Sequence, residues 1–263
     1  LRQPGGASEW ASFHDPAITG VMPAAALLYR RGHVAPAAKA YHLALTPEQL
    51  FNRDLSPRTS ATIRTLVEQS RLTIGLPAAK DLPWLRPSPT PEGAVVIDDP
   101  DRDMLPQGAS VIRSDTGELT RDWNRGVQII DTPRTQAVSG WIGGADLGTA
   151  DAMYRFRTKK AVVALTSIDD QPLGKSRFIL VTAVARARLG EDDRAPLLSE
   201  PVEGAIVLKT EVDDLELLAL ASDGKIESRH DTTRSNGLIS FSLPAGRGTH
   251  WFVLKSRPST APR

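Results

Sequence analysis

Five side chains within a short stretch of this 263-residue chain are of kinds that bind sugars. Asp131, Arg134 and Gln136 offer carboxylate, guanidinium and amide groups, which can hydrogen-bond to the hydroxyls of a polyol. Trp123 and Trp141 flank them, and each indole can serve as a platform for a sugar ring. The stretch therefore predicts a substrate-binding surface on the edge of a β-meander.

A purely structural role for the same residues is the competing interpretation. Asp131 follows a predicted strand, so its carboxylate can accept hydrogen bonds from turn amides. Arg134 can join two strands by donating hydrogen bonds from its guanidinium group. The sequence leaves both interpretations open.

No residue of the chain is predicted to be catalytic or to bind a metal or cofactor. There is no cysteine, which excludes thiolate catalysis and Cys-ligated zinc. Ser139-Gly140-Trp141 lacks the Gly-x-Ser-x-Gly elbow of many hydrolases. His33 is interpreted as a structural or exposed histidine, and Asp169-Asp170 as part of an ordinary hairpin turn.

Composition and charge narrow the class of protein. The hydrophobic share is 40% and the charged share 24%, as in ordinary globular proteins. Lys and Arg total 32 against 31 for Asp and Glu, and this balance argues against a nucleic-acid partner. No apolar run reaches the roughly 20 residues that a membrane-spanning helix needs. The compartment stays open, with export to the periplasm or the cell exterior as one option.

The predicted fold class is α+β, with an N-terminal helical segment followed by an antiparallel β-sandwich. Residues 1–80 are predicted to be helical, because Asp15-Pro16 and later cap-then-proline pairs start helical patterns. Residues 81–108 are rich in proline and predict a linker. Residues 109–255 alternate with period two between turn signals, which predicts the sandwich. Residues 256–263 are predicted to be a tail.

The order of these segments resembles the C-terminal portion of large bacterial TIM-barrel glycoside hydrolases. The resemblance spans roughly residues 13–255, and its sharpest part is the run Ile-Asp-Thr-Pro-Arg-Thr-Gln at 130–136. The other segments that carry it are Met-Pro-Ala-Ala-Ala-Leu-Leu-Tyr-Arg-Arg-Gly at 22–32, Gly-Glu-Leu-Thr-Arg-Asp-Trp at 117–123, Val-Ala-Leu-Thr-Ser-Ile-Asp-Asp-Gln-Pro-Leu at 163–173, and the strand that begins with Ser176-Arg177.

The resemblance implies that the parent protein cleaves a polysaccharide and that its catalytic barrel lies upstream of Leu1. We therefore expect a non-catalytic accessory region whose partners are that barrel, in the same polypeptide, and a polysaccharide. The non-methionine start fits a piece of a longer protein. No catalytic residue of the barrel can be matched to this chain. A self-standing carbohydrate-binding module is the main alternative, and an independent small enzyme of unrecognised type is the third.

Overall fold

The computed structural model describes residues 15–51, 61–77, 83–84, 86–99, 102–104, 108–189, 197–244 and 249–257. The chain divides into two compact units. The sandwich unit comprises Leu1–Val34 and Arg125–Arg263, and the parallel-sheet unit comprises Ala35–Asn124.

The helices in the described residues are α1 (Pro16–Arg30), α2 (Pro47–Phe51) and α3 (Ala61–Leu66). The strands there are β1 (Ala40–Ala44), β2 (Arg71–Gly75), β3 (Val95–Ile97), β4 (Val111–Arg113), β5 (Leu119–Asp122), β6 (Val127–Asp131), β7 (Thr135–Trp141), β8 (Asp146–Gly148), β9 (Ala152–Phe156), β10 (Lys160–Ser167), β11 (Phe178–Val184), β12 (Ala187–Leu189), β13 (Leu197–Ser199), β14 (Gly204–Lys209), β15 (Leu215–Leu220), β16 (Ile226–His230), β17 (Thr233–Ser235), β18 (Leu238–Leu243) and β19 (Trp251–Ser256).

The sandwich unit has two antiparallel layers and a separate antiparallel pair, β12 and β13. One layer has the strand order β16-β15-β19-β11-β10-β7-β6, and the other has the order β17-β18-β14-β9-β8. Alternate side chains of both layers fill the space between them: Val163 and Leu165 from β10 meet a core that includes Tyr154 and Ile206, all fully buried. This arrangement confirms the predicted α+β fold class, with an N-terminal helix followed by an antiparallel β-sandwich.

Helix α1 packs on the outer face of the first layer. Asp15 begins it as predicted, because its Oδ1 accepts the N–H of Ala17 at 2.8 Å. Ala24 lies against Ala164 and Leu180 of the sheet. The backbone oxygen of Gly20 accepts the indole N–H of Trp251 at 2.7 Å. The helix is therefore part of the sandwich unit.

The parallel-sheet unit contains a three-stranded parallel sheet in the order β2-β1-β3. Leu43 and Ile97 of this sheet pack on Ile63 and Leu66 of α3, and all four are buried. The unit also holds the antiparallel hairpin of β4 and β5.

Two predictions about the first half of the chain differ from the structure. Strands β1 and β2 lie within residues 1–80, which were expected to be helical, and β3 lies within the expected linker at 81–108. These strands have only three to five residues each, which is too few for an alternating pattern to be distinguished from a short helix segment. The chain passes from one unit to the other after Val34 and again after Asn124. The boundary was expected within the proline-rich segment at 81–108. Most of the predicted tail lies outside the described residues.

Candidate functional site

The run from Asp131 to Gln136 forms a tight corner between β6 and β7. Thr132 closes it, because its backbone N–H and its hydroxyl both donate to the carbonyl oxygen of Thr135 at 2.9 Å. Thr132 Oγ1 also accepts the N–H of Thr135 at 2.9 Å. Pro133 brings no N–H that would need a partner. The corner is thus internally satisfied and can hold the residues on either side of it in fixed positions.

Asp131 and Gln136 use this corner to hold the loop at Thr149–Asp151. Both oxygens of Asp131 accept the backbone N–H of Ala150 at 3.1 Å. Gln136 Nε2 donates to Asp151 Oδ2 at 2.8 Å, and Gln136 Oε1 accepts the Thr149 hydroxyl at 2.7 Å and the Asp151 N–H at 3.1 Å. Since Gln136 is 0% exposed, it has no surface with which to touch a ligand. Its contacts favour the positioning role.

Arg134 points to the opposite side of the corner and fixes the end of α1. Its Nη2 donates to the carbonyl oxygen of Gly32 at 2.6 Å, and its Nη1 lies 3.9 Å from Asp170 Oδ1. Arg31 forms a second ion pair with the same carboxylate. Gly32 has a φ of +58°, the left-handed conformation that commonly ends a helix. These contacts join the helix end to the turn that contains Asp170.

His33 lies beside this ion cluster and bonds to the corner itself. Its Nδ1 is 2.8 Å from the hydroxyl of Thr135, and its Nε2 is 3.5 Å from Asp170 Oδ1. Burial lowers the pKa of His33, and the nearby guanidinium of Arg134 lowers it too, while the hydrogen bond to Asp170 opposes both effects. The net direction favours the neutral imidazole.

The order Thr135, His33, Asp170 matches the nucleophile, base and orienting acid of a hydrolytic triad. Access decides against that chemistry, since Thr135 is 1% exposed and the His33 side chain is 0% exposed. A substrate carbonyl has no path to the threonine oxygen in this arrangement. The three residues therefore anchor α1. Sequence reasoning missed the contact between His33 and Thr135 because no local motif links residues so far apart in the chain.

Asp169 locks the turn between β10 and β11. Its carboxylate accepts hydrogen bonds from the hydroxyls of Ser167 and Ser176, at 2.9 and 2.7 Å, and from the N–H of Arg177 at 2.9 Å. Burial alone would raise the pKa of Asp169, but these bonds outweigh it and lower the pKa. Its neighbour Asp170 has a φ of +59°, a conformation that Asp tolerates better than most residues. The turn contacts match its predicted assignment as a hairpin turn.

The two tryptophans proposed as sugar platforms belong to different units. Trp141 stands on the outer face of the sandwich, 54% exposed, with Lys160 Nζ 4.5 Å from its ring centroid. It lies against Gly126, where an added Cβ would meet its Cδ1 at 2.6 Å. Trp123 belongs to the parallel-sheet unit, where its backbone N–H donates to the carbonyl oxygen of Ser110 at 2.9 Å. Of the two tryptophans, only Trp141 belongs to the sandwich unit and can offer a sugar platform there.

The sandwich also carries an open cleft of about 570 Å³ that the sequence did not reveal. The loop at Asp151 lines it, together with the turn at 172–175, the end of β14 and the β17–β18 turn. Two of these segments carry a turn signal in the sequence, Asp-Asp-Gln-Pro at 169–172 and Ser-Asn-Gly at 235–237, but nothing local indicates that the four segments converge. The buried Gln136 connects the predicted site to this cleft through Asp151.

The chain matches no known family model, no curated protein and no solved structure. Among the described residues, no group of three or more His, Asp or Glu side chains is placed to hold a metal ion. No helix in the described part of the chain has the length and apolar character needed to cross a membrane.

Proposed function

We propose that this chain is a non-catalytic accessory region of a bacterial glycoside hydrolase that acts on a polysaccharide. The role that we assign to it is to pack on the catalytic barrel, or to extend it, through a helical connector joined to a β-sandwich. The observation that carries the proposal is the corner at Asp131–Gln136. This run is the sharpest part of the resemblance, and it is also where the end of α1 and the Thr149–Asp151 loop are both fixed.

The contacts of the corner suit a structural connector better than a reaction centre. Arg134 is engaged by Gly32 and Asp170, Gln136 is fully buried, and the hydroxyl of Thr135 is bonded to His33. Polar groups that are satisfied inside the protein rigidify it but are not offered to a substrate. A rigid joint between helix and sandwich is what a region that must hold a fixed position against a barrel requires.

Two measurements test this proposal. The purified chain is incubated with cellulose, xylan, starch, galactomannan and pectin, and released reducing ends are compared with a heat-inactivated sample. We expect no release, and hydrolysis of any of these polymers by the chain alone would refute the accessory role. In the genomic DNA upstream of the Leu1 codon, we expect an in-frame segment of about 250 residues with alternating strands and helices. A stop codon directly upstream would count equally against the proposal.

The second candidate, a self-standing carbohydrate-binding module, is favoured by Trp141. Its exposed indole stands beside a shallow groove of about 240 Å³ that is lined partly by Val162 and Val184. Exposed indoles next to a shallow apolar groove are suited to stacking on a sugar ring. This candidate predicts retention of the chain on an insoluble polysaccharide, measured by a pull-down assay on cellulose, xylan and chitin.

Trp141→Ala should abolish that retention. Trp84→Ala is the matched control, because Trp84 is also an exposed indole, at 68%, but belongs to the parallel-sheet unit. Retention that survives Trp141→Ala, or no retention of the unmodified chain on any of the three polymers, would eliminate the platform.

A further inference from the structure

The cleft that Asp151 lines has walls fixed by main-chain hydrogen bonds. The N–H of Lys209 donates to the carbonyl oxygen of Asp151 at 2.7 Å, and the N–H of Thr210 donates to that of Gly237 at 2.9 Å. The N–H of Glu211 donates to the carbonyl oxygen of Gly174 at 2.8 Å. All the segments that form the cleft are therefore tied to the end of β14. Since a ligand would not have to order these walls, binding there avoids much of the usual entropic cost.

The side chains at the cleft supply donors and acceptors in equal measure. Asp151 and Glu211 are acceptors, whereas Lys175 and Lys209 are donors. The Asn236 amide can both donate and accept, and its backbone has a φ of +50°. The two lysines balance the two carboxylates, and Arg234, the third cation that lines the cleft, is neutralised by an ion pair with Asp213 at 2.6 Å. A strongly charged ligand would meet a like charge wherever it met an opposite one.

Several of these groups are available to a ligand. No contact is found for the side chains of Lys209 and Asn236 with the described residues, and both are exposed. Lys175 lies 4.0 Å from Glu211 in a pair with both side chains more than half exposed, which is a weak interaction. Arg234, by contrast, is committed to the carbonyl oxygen of Val212 at 2.5 Å.

Asp151 is the best-positioned acceptor of the cleft. One of its oxygens, Oδ2, is held by the buried amide of Gln136 at 2.8 Å. Its backbone is fixed by the same glutamine through the N–H at 3.1 Å. A carboxylate oriented by a fully buried partner can present its other oxygen to a ligand without losing side-chain freedom on binding.

The cleft also has apolar surface. Pro172 and Leu238 line it, and Leu238 is 43% exposed although it begins a strand. Apolar patches beside hydrogen-bonding groups match a pyranose ring, whose C–H faces are apolar and whose edges carry hydroxyls. The volume of about 570 Å³ falls in the range of small-molecule sites.

We infer that this cleft binds a neutral, hydroxyl-rich ligand, namely one or two sugar residues of a polysaccharide chain. The choice of a sugar rests on the proposed function, whereas the preference for a neutral, hydroxyl-rich molecule rests on the balanced charges of the cleft. Asp151 and Glu211 accept from sugar hydroxyls, Lys175 and Lys209 donate to them, and Leu238 contacts the ring. Gln136 is a positioning residue, because it acts through Asp151.

The test is an NMR titration of the whole chain with neutral trisaccharides: cellotriose, xylotriose, mannotriose and maltotriose. Trigalacturonic acid serves as the charged comparison. The backbone amides of Gly174 and Gly237 report on two walls of the cleft and lie in a distinctive region of the spectrum. We expect one neutral trisaccharide to shift both amides in a saturable way at concentrations up to about 20 mM, since sites that lack deep burial bind sugars weakly.

Matched variants locate the site. Lys209→Met and Asp151→Asn should each weaken binding of that trisaccharide by about tenfold, the usual effect of losing a hydrogen bond to a charged group. Lys225→Met removes an exposed lysine of the sandwich unit that does not line the cleft, and its dissociation constant should stay within about twofold of the unmodified chain.

The outcomes separate this inference from the proposed function. No saturable shift of Gly174 and Gly237 with any neutral probe would overturn the cleft site, and so would a response to trigalacturonic acid only. Shifts confined to Gly140 and Lys160 would overturn it as well and would place the sugar at Trp141 instead. Polysaccharide hydrolysis by the chain would refute the accessory role but would leave a measured cleft affinity intact.

Discussion

The side-chain amide of Gln136 donates to Asp151 Oδ2 at 2.8 Å and, through its oxygen, accepts the N–H of the same aspartate at 3.1 Å. One fully buried side chain thus fixes both the carboxylate and the backbone of a residue on a surface loop. Because the interior has a low dielectric constant, such a network is strong while complete and costly when broken. The relationship explains why a residue with no exposed surface can still govern what the cleft presents.

Gln136→Met should destabilise the sandwich unit markedly. The substitution keeps the volume similar but leaves Asp151 Oδ2 and the Asp151 N–H without their partner, and the Thr149 hydroxyl keeps only its longer bond to the carbonyl oxygen of Ala152 at 3.2 Å. Unsatisfied groups of this kind cost about 1–3 kcal/mol each when they are buried. We expect the free energy of unfolding to fall by about 3 kcal/mol, measured by urea denaturation with tryptophan fluorescence.

Gln171→Met is the control for this substitution, since the side chain of Gln171 is exposed on a turn of the same unit. It should change the free energy of unfolding by less than about 0.5 kcal/mol. Equal effects of the two variants would show that Gln136 does not hold the loop.

The stability of the sandwich unit should decrease between pH 7 and pH 5 because of His33. Its burial and the nearby Arg134 lower the pKa of the folded state, so the unfolded chain binds a proton there first. Stability therefore falls as the pH drops below the ordinary histidine pKa of about 6.5 and levels off below the folded pKa. One such proton contributes at most about 1.4 kcal/mol per pH unit.

Two variants isolate the histidine. His33→Gln removes the titrating group and should flatten the dependence of the unfolding free energy on pH in this window. Asp170→Asn removes the acid that opposes the lowered pKa of His33, so the decline should reach to lower pH. Asparagine tolerates the φ of +59° at this position. An unchanged profile in His33→Gln would mean that another group causes the decline.

The parts of the fold that depend on residues close together in the sequence could be predicted from it. Asp15-Pro16 starts α1 because the cap bond spans two residues. Strands such as β9 and β18 are recognisable because alternate side chains face the core. Strand β1 was not, because its sequence Ala-Tyr-His-Leu-Ala is equally compatible with a helix, and only the parallel neighbours β2 and β3 decide the matter.

The candidate site was predictable as a set of residues but not as a set of contacts. Asp131, Arg134 and Gln136 lie within six residues of sequence, yet they bond to different partners: Ala150, Gly32 and Asp151. Those partners depend on how the two layers stack and on where α1 docks, which are long-range features. No pattern of residue types encodes them locally, and so the cleft could not be foreseen.

Asp169→Asn should weaken the turn between β10 and β11. The native carboxylate accepts bonds from two serine hydroxyls and from backbone amides, and an amide side chain can replace only part of this set. We expect a loss of about 2 kcal/mol in unfolding free energy at pH 7. Asp146→Asn is the control, because Asp146 forms an exposed pair with Arg155 and should matter by less than about 0.5 kcal/mol.

The Asp169 effect should vanish in acid. Since the folded pKa lies below that of the unfolded chain, the contribution is complete above the ordinary aspartate pKa of about 3.9. It is lost as the pH falls through the lower folded value. Urea titrations at pH 7, 5, 4 and 3 should therefore show the gap between the native chain and Asp169→Asn narrowing below about pH 4. A constant gap at every pH would exclude the charge as its source.

Replacing either of two buried threonines by valine should stabilise the protein. The hydroxyls of Thr166 and Thr182 have no hydrogen-bond partner among the described residues, although both side chains are 0% exposed. They lie on β10 and β11 of the layer whose outer face carries α1. Valine has nearly the same shape and removes the unmet hydrogen bond, so each substitution should raise the unfolding free energy by about 1 kcal/mol.

Thr233→Val makes the same change on an exposed edge strand and should have an effect of less than about 0.5 kcal/mol. Urea denaturation distinguishes the cases, and a loss of stability in Thr166→Val or Thr182→Val would mean that the hydroxyl has a partner after all.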